Sequence, residues 1–240
     1  MRSRWVLGIS IAWTLCGASA SALSVTLNPG IYTSELSVRA EDGTRSEVVR
    51  QPSVVPDLIS DSVASGAASS AATFDLSARG FETRFDVTNL GTANTGFSDS
   101  ITRIHFSVDT AVDYRIEGRY DAIDPDGEWA VLAVGLTDYT GGGVITLFSN
   151  AQRSTHTPDE SFVVGGRGGD NANELLGSAT GTLLPGRDYF FFVNALLGTQ
   201  NPPTPTGTAT GFARIVFVPE PGTGLLLATG LVLACGRRRS

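Results

Sequence analysis

Lysine is missing from this chain of 240 residues; all 17 basic residues are arginine. The bias is compositional, and it leaves no lysine to close a glycine-rich phosphate loop. Cysteine is nearly missing as well: Cys16 lies in an N-terminal apolar run and Cys235 in a C-terminal one. The stretch between them forms no internal disulfide, holds no zinc through thiolate and offers no cysteine nucleophile. Its stability must come from packing and strand pairing alone. Histidine occurs only as His105 and His156, far apart and in no HExxH pair. A serine-hydrolase elbow is lacking too, because Gly177-Ser178-Ala179-Thr180-Gly181 has the wrong order. The glycine-rich run at 165–169 opens no helix and reads as a strand connection. No catalytic residue is assigned, and the chain is not read as an enzyme.

Positive charge is scarce outside the two extremes. Arg2, Arg4, Arg237, Arg238 and Arg239 account for five of the 17 arginines, so twelve face 24 acids across the rest of the chain. Such a body repels phosphate instead of releasing its counterions, which argues against nucleic acid and anionic lipid as partners. It suits a soluble extracellular protein, or one that binds divalent cations.

The two extremes read as targeting segments. Met1-Arg2-Ser3-Arg4 is a basic head, 5–15 is a short apolar core, and 17–22 is a run of small residues. That order describes a secretory signal peptide over 1–22, cleaved after Ala20 or Ala22, with Ala22 preferred. A first transmembrane helix is the alternative, but the apolar run is short and small residues follow at once. Cys16 is a poor lipidation site, because Leu15 stands where a small residue is needed. At the other end, Pro219-Glu220-Pro221 breaks the chain away from any strand or helix. An apolar helix follows at 222–236, 15 residues by the sequence, or roughly 22 Å at 1.5 Å per residue. A hydrocarbon core of about 30 Å exceeds that length. Arg237–Arg239 should remain cytoplasmic and put the body outside.

The body, 23–217, shows no sustained helical period. Short runs rich in Val, Ile, Thr, Phe and Tyr recur between Gly, Pro, Asp and Asn. Strands are expected at 24–27, 34–39, 47–50, 73–78, 83–88, 101–108, 114–120, 129–136, 144–148, 161–164, 176–183, 189–196 and 208–218. Apolar alternation is clear at Phe106 and Val108, at Tyr114, Ile116, Gly118 and Tyr120, at Leu132, Val134 and Leu136, and at Ala213, Ile215 and Phe217. Residues 189–193 are apolar on both sides, as a central strand covered on both faces would be. Asp42-Gly43, Arg79-Gly80 and Pro185-Gly186 mark tight turns. Three stretches look irregular: 60–72, too small-sided for a core, then 165–171 and 200–207. The fold class is therefore all-β, an antiparallel β-sandwich of jelly-roll type, with a signal peptide before it and a single transmembrane helix after it.

Pro219-Glu220-Pro221, the apolar helix and the terminal arginine cluster, in that order, resemble the PEP-CTERM sorting domain. The resemblance covers 218–240. It implies that Pro219, Glu220 and Pro221 are the motif read by an exosortase, a membrane-embedded cysteine transpeptidase. It implies that Arg237, Arg238 and Arg239 are the stop signal and that the helix holds the chain in the inner membrane for a time. The body then passes to the cell surface or an exopolysaccharide matrix. Phe106-Ser107-Val108-Asp109, Asp113-Tyr114-Arg115-Ile116-Glu117-Gly118 and the later run 181–189 are similar to patterns in β-sandwich bodies carrying this tag.

Chemistry in the body rests on few residues. His105 alternates with Phe106 and is placed on the solvent face of its strand; His156 reads as loop. Asp121, Asp124, Asp126 and Glu128 alternate around a Pro and a Gly, and two readings stand: a calcium loop, or a solvated hairpin turn between Tyr120 and Trp129. Otherwise no cofactor is called for. Three functions are weighed. The first and preferred is a structural or interaction protein at the surface, with no concave site. The second is a carbohydrate-binding module of the exopolysaccharide matrix, with Trp129, Tyr120 and Tyr139 stacking sugar rings on one face. The third is a glycoside hydrolase, which needs two converging carboxylates and has no support in the sequence.

Overall fold

The computed structural model describes residues 23–28, 33–90, 97–123, 129–154, 160–163, 176–177, 179–198 and 207–218; at 120–123, 129–130, 150–154, 160–163 and 176–177 it describes the main chain only. Apart from a 3-10 turn at Thr140–Gly142, the regular elements among these residues are strands. In chain order they are β1 (Val25–Leu27), β2 (Glu35–Glu41), β3 (Arg45–Arg50), β4 (Asp57–Ser65), β5 (Ala68–Ser77), β6 (Gly80–Asn89), β7 (Phe97–Val108), β8 (Val112–Ile123), β9 (Trp129–Asp138), β10 (Ile145–Ser154), β11 (Glu160–Val163), β12 (Leu176–Gly177), β13 (Thr180–Leu183), β14 (Tyr189–Gly198) and β15 (Gly207–Val218).

The strands form two antiparallel sheets. Sheet A has the order β12-β10-β9-β14-β7-β2-β3, with β1 also on β7; sheet B has the order β11-β8-β15-β6-β5-β4, with β13 also on β8. From β6 to β9 the chain alternates between the sheets at each step. It then returns so that β14 lies between β7 and β9, and β15 between β6 and β8. This interleaving of two Greek keys is the jelly-roll arrangement expected from the turn-rich, alternating sequence. The hairpin β2–β3 widens sheet A and the hairpin β4–β5 widens sheet B.

Period-two alternation decides what is buried. Ile104, Phe106, Leu132, Val134, Leu136, Phe191 and Val193 point inward from sheet A, against Phe74, Phe81, Val87, Ile116, Ile215 and Phe217 from sheet B. Phe81 stands edge-on to Phe106 at 4.9 Å and to Phe217 at 5.3 Å, geometries that suit the ring quadrupoles. Gly43 and Gly186 take positive φ, 77° and 72°, in two of the expected turns.

Several expectations need correction. Residues 60–72 are not irregular; they form most of the β4–β5 hairpin, with Ala68, Ser70 and Ala72 buried. Small side chains let the sheets approach here. Ser70 donates its hydroxyl to the carbonyl of Asp99 at 2.6 Å, and Ser98 to that of Thr88 at 2.7 Å, each bond crossing from one sheet to the other. The stretch 176–183 is not one strand: β12 joins sheet A and β13 joins sheet B. The acidic stretch after Tyr120 is not a hairpin turn, because β8 lies in sheet B and β9 in sheet A, so the connection crosses between sheets. Among the described residues no helix is long and apolar enough to cross a membrane. Residues 1–22, 165–171, 200–206 and 219–240, and with them the expected signal peptide, transmembrane helix and two of the loops, lie outside the described residues.

Candidate functional site

The outer face of sheet A carries an aromatic depression that follows from strand register. Phe192 on β14 lies opposite Arg103 on β7 and Gly135 on β9, and Arg103 in turn lies opposite Glu35 on β2. One row across four strands therefore reads Glu35, Arg103, Phe192, Gly135. The next rows place Ile101, Asn194 and Ala133 on one side, and His105, Phe190 and Thr137 on the other. Gly135 has a specific use: a Cβ there would sit 2.2 Å from the Phe192 ring, so its absence is what lets that ring lie over the neighbouring strand.

Ile101, Arg103, Tyr139, Phe190, Phe192 and Asn194 line a depression of about 320 Å³. Phe190 and Phe192 have ring centroids 6.0 Å apart, and Tyr139 meets Phe190 edge-on at 6.0 Å. Arg103 is held by Glu35 at 3.0 Å, so its charge is matched at the rim. The Asn194 Oδ1 is buried and accepts no hydrogen bond among the described residues. A hydrophobic floor with a few convergent polar groups is the usual make-up of a small-molecule site. A second depression, about 430 Å³ over β4–β6, is lined by Ser60, Ser62, Ala71, Thr73, Arg84 and Asp86 among others. Its lining mixes small and charged side chains, and its one aromatic residue, Phe85, is buried, so a ligand ring has little to stack on.

Beside the aromatic depression lies a buried polar cluster that the sequence reading misplaced. His105 is on the outer side of β7 as alternation dictates, but it is fully buried, not solvated. Phe190 at 5.3 Å and Tyr139 at 5.6 Å cover it. Its Nδ1 lies 3.5 Å from the Asp188 carboxylate, which also accepts from Asn28 Nδ2 at 2.8 Å. Burial holds the imidazole below its ordinary pKa, partly opposed by the Asp188 charge. Nearby, Arg187 binds Asp138 at 2.6 Å. Burial pushes the Asp138 carboxyl up, but hydrogen bonds from Thr140 and Arg187 outweigh it and leave the pKa lowered.

The outer face of sheet B is charged. Phe212 lies between Arg84 (5.8 Å) and Arg214 (5.5 Å), and Arg214 also pairs with Glu117 and with Glu82 at 3.3 Å. These groups pair with one another along the sheet, and exposed pairs of this kind each contribute little stability.

The residues proposed from sequence are only partly brought together. Tyr120 belongs to β8 of sheet B, whereas Trp129 opens β9 in sheet A and Tyr139 follows the other end of that strand, so the fold does not bring the three to one place. Tyr139 alone joins the aromatic depression. Phe190 and Phe192 were legible as part of a central strand; their role on its outer face depends on strand order, which the sequence does not carry. Asp121 lies in β8 opposite Thr210. Asp124, Asp126, Glu128 and His156 lie outside the described residues, as do Ala20, Ala22, Pro219, Glu220, Pro221, Arg237, Arg238 and Arg239. Among the described residues no group of three or more His, Cys, Asp or Glu is placed to hold a metal ion.

No curated protein matches the chain. A family model does, over 217–239, and its first two residues are the last two of the central strand β15. That model is the PEP-CTERM protein-sorting motif, so this chain carries a C-terminal PEP-CTERM sorting motif whose match begins within the end of a core strand.

Proposed function

We propose that the sandwich is a structural or interaction module displayed at the cell surface or in the extracellular matrix, delivered there when an exosortase reads Pro219-Glu220-Pro221. The observation that carries this reading is the sorting motif at 217–239, which marks an exported, surface-directed protein. Its physical features fit a temporary hold. The apolar segment 222–236 is shorter than the roughly 20 residues a stable span needs, and Gly224, Thr229 and Gly230 interrupt it. Pro219 and Pro221 lack N–H donors and so are poor members of a helix or a strand ladder, which favours capture by a processing enzyme. Leu23 and Ser24 belong to the sandwich: Leu23 packs on the core, and Ser24 exchanges backbone and side-chain hydrogen bonds with Asp109. Cleavage after Ala22 would release the module with its first strand intact.

The test is to express the full chain in a host with its exosortase and in the same host without it, and to treat intact cells with protease. The expected result is a protease-accessible, processed form only where the enzyme is present. Equal exposure and equal length in both hosts would overturn the reading. A second reading, that the module binds exopolysaccharide, is supported by the aromatic depression on sheet A.

A further inference from the structure

We propose that the depression formed by Ile101, Arg103, Tyr139, Phe190, Phe192 and Asn194 is a subsite for one sugar ring of a neutral polysaccharide. This rests on the reading of the sandwich as a surface interaction module and names its partner.

A pyranose ring has a C–H face that is apolar and a rim of hydroxyls that donate and accept. The depression offers the complement of both. Phe192 lies across Gly135 and half-exposed. Phe190 continues the floor and Tyr139 forms a wall. The Arg103–Glu35 pair and the Asn194 amide supply donors and acceptors at the edge. The Asn194 acceptor is unspent among the described residues; a turn of the amide about its last bond presents it to a hydroxyl, which removes the cost of burying it unpaired. The volume, about 320 Å³, falls at the low end of the roughly 300–1,000 Å³ typical of small-molecule sites. It suits one ring of a chain that continues along the sheet.

Charge selects the class of polysaccharide. The cation at this rim, Arg103, is matched by Glu35 at 3.0 Å, and the chain as a whole carries a formal charge of −7. A uronate or sulfated polymer would meet repulsion with no free cation among the lining residues. A neutral polymer meets none. Among the described residues, the outer face of sheet B, where arginines and glutamates pair around Phe212, presents no such aromatic floor.

The experiment is affinity electrophoresis and calorimetry on the full chain in mild detergent. The probes are cellohexaose, mannohexaose, the neutral fraction of the producing cell's exopolysaccharide, and alginate as an anionic control. Variants are Phe192→Ala, Tyr139→Ala and Gly135→Ala, the last displacing the Phe192 ring without removing it, with Phe212→Ala on the opposite sheet as control. Thermal melts confirm that each variant folds. The expected result is binding to at least one neutral probe, none to alginate, a loss of tenfold or more in the first three variants, and none in Phe212→Ala. Absence of binding to every neutral probe overturns the proposal, as does binding that survives in Phe192→Ala and Gly135→Ala. Preference for alginate overturns it as well. A dimer that dissociates on Phe192→Ala would assign the face to a second copy of the chain and overturn it too. Surface display of the wild type is scored separately by protease treatment of intact cells, so a wild type that is displayed normally and binds no neutral probe sinks this proposal and leaves the display reading standing.

Discussion

Phe106 is fully buried where the two sheets meet, with Phe81, Tyr189 and Phe217 all within 6.0 Å between ring centroids. With no disulfide in the sandwich, such contacts supply what a crosslink supplies in other small exported domains. Phe106→Ala should therefore cost about 3–5 kcal/mol of stability, read as a lower urea midpoint at unchanged slope. His105 makes a second residue-level case. Burial keeps its pKa below the unfolded value of 6.5, with Asp188 opposing. As pH falls through about 6.5, the unfolded chain takes up a proton that the folded chain refuses. The stability this group permits is thus complete above that pH and is lost below it. Melting the wild type and His105→Phe between pH 7.5 and 5.5 should show a falling Tm in the first and a flatter profile in the second. Asp99, raised by burial against the pull of Arg39, acts with the opposite sign and is common to both proteins, so the difference between the two profiles isolates the histidine.

At the scale of elements, the β4–β5 hairpin shows what the sequence conveys and what it does not. β9 and β15 were legible because Leu132, Val134 and Leu136, and Ala213, Ile215 and Phe217, recur at every second position in runs rich in β-forming residues. The run 60–72 carries small residues on both faces, with the buried Ala68, Ser70 and Ala72 interleaved with Ser69 and Ala71, and no hydrophobicity contrast marks its inner face. Its burial is a property of sheet separation: where the interior narrows, Ala68, Ser70 and Ala72 are what fits. The serine hydroxyls then satisfy carbonyls of the facing sheet that large apolar residues would leave unpaired. Ser70→Ala should cost about 1–3 kcal/mol, and a larger loss should follow Ser70→Leu, which overpacks the gap; both are measured by urea unfolding. His105 was misplaced for a related reason. Alternation correctly assigns it to the outer side of β7, but only the pairing of β7 with β14 brings Phe190 over it. The candidate site was the least legible part, since its rows join β2, β7, β14 and β9, which sequence periodicity cannot order.

At the scale of the whole molecule, residues 23–217 expressed alone should give a β-type circular dichroism spectrum, and their melting should be the same with and without reductant, because they contain no thiol. A helical spectrum would contradict the fold. The central claim is that the tag is read and not simply buried in lipid. β15 runs through the core to Val218, and Pro219 follows at once, so the motif is offered at the end of a central strand with no linker before it. The most direct measurement is the intact mass of the surface-exposed form of the wild type and of Pro219-Glu220-Pro221→Ala-Ala-Ala, both expressed in a host with the exosortase. The account predicts that the wild type has lost its C-terminal segment, while the alanine form is exported but stays full-length in the membrane. A surface form of the alanine variant with the same C-terminus as the wild type would contradict it and leave a plain membrane anchor in its place.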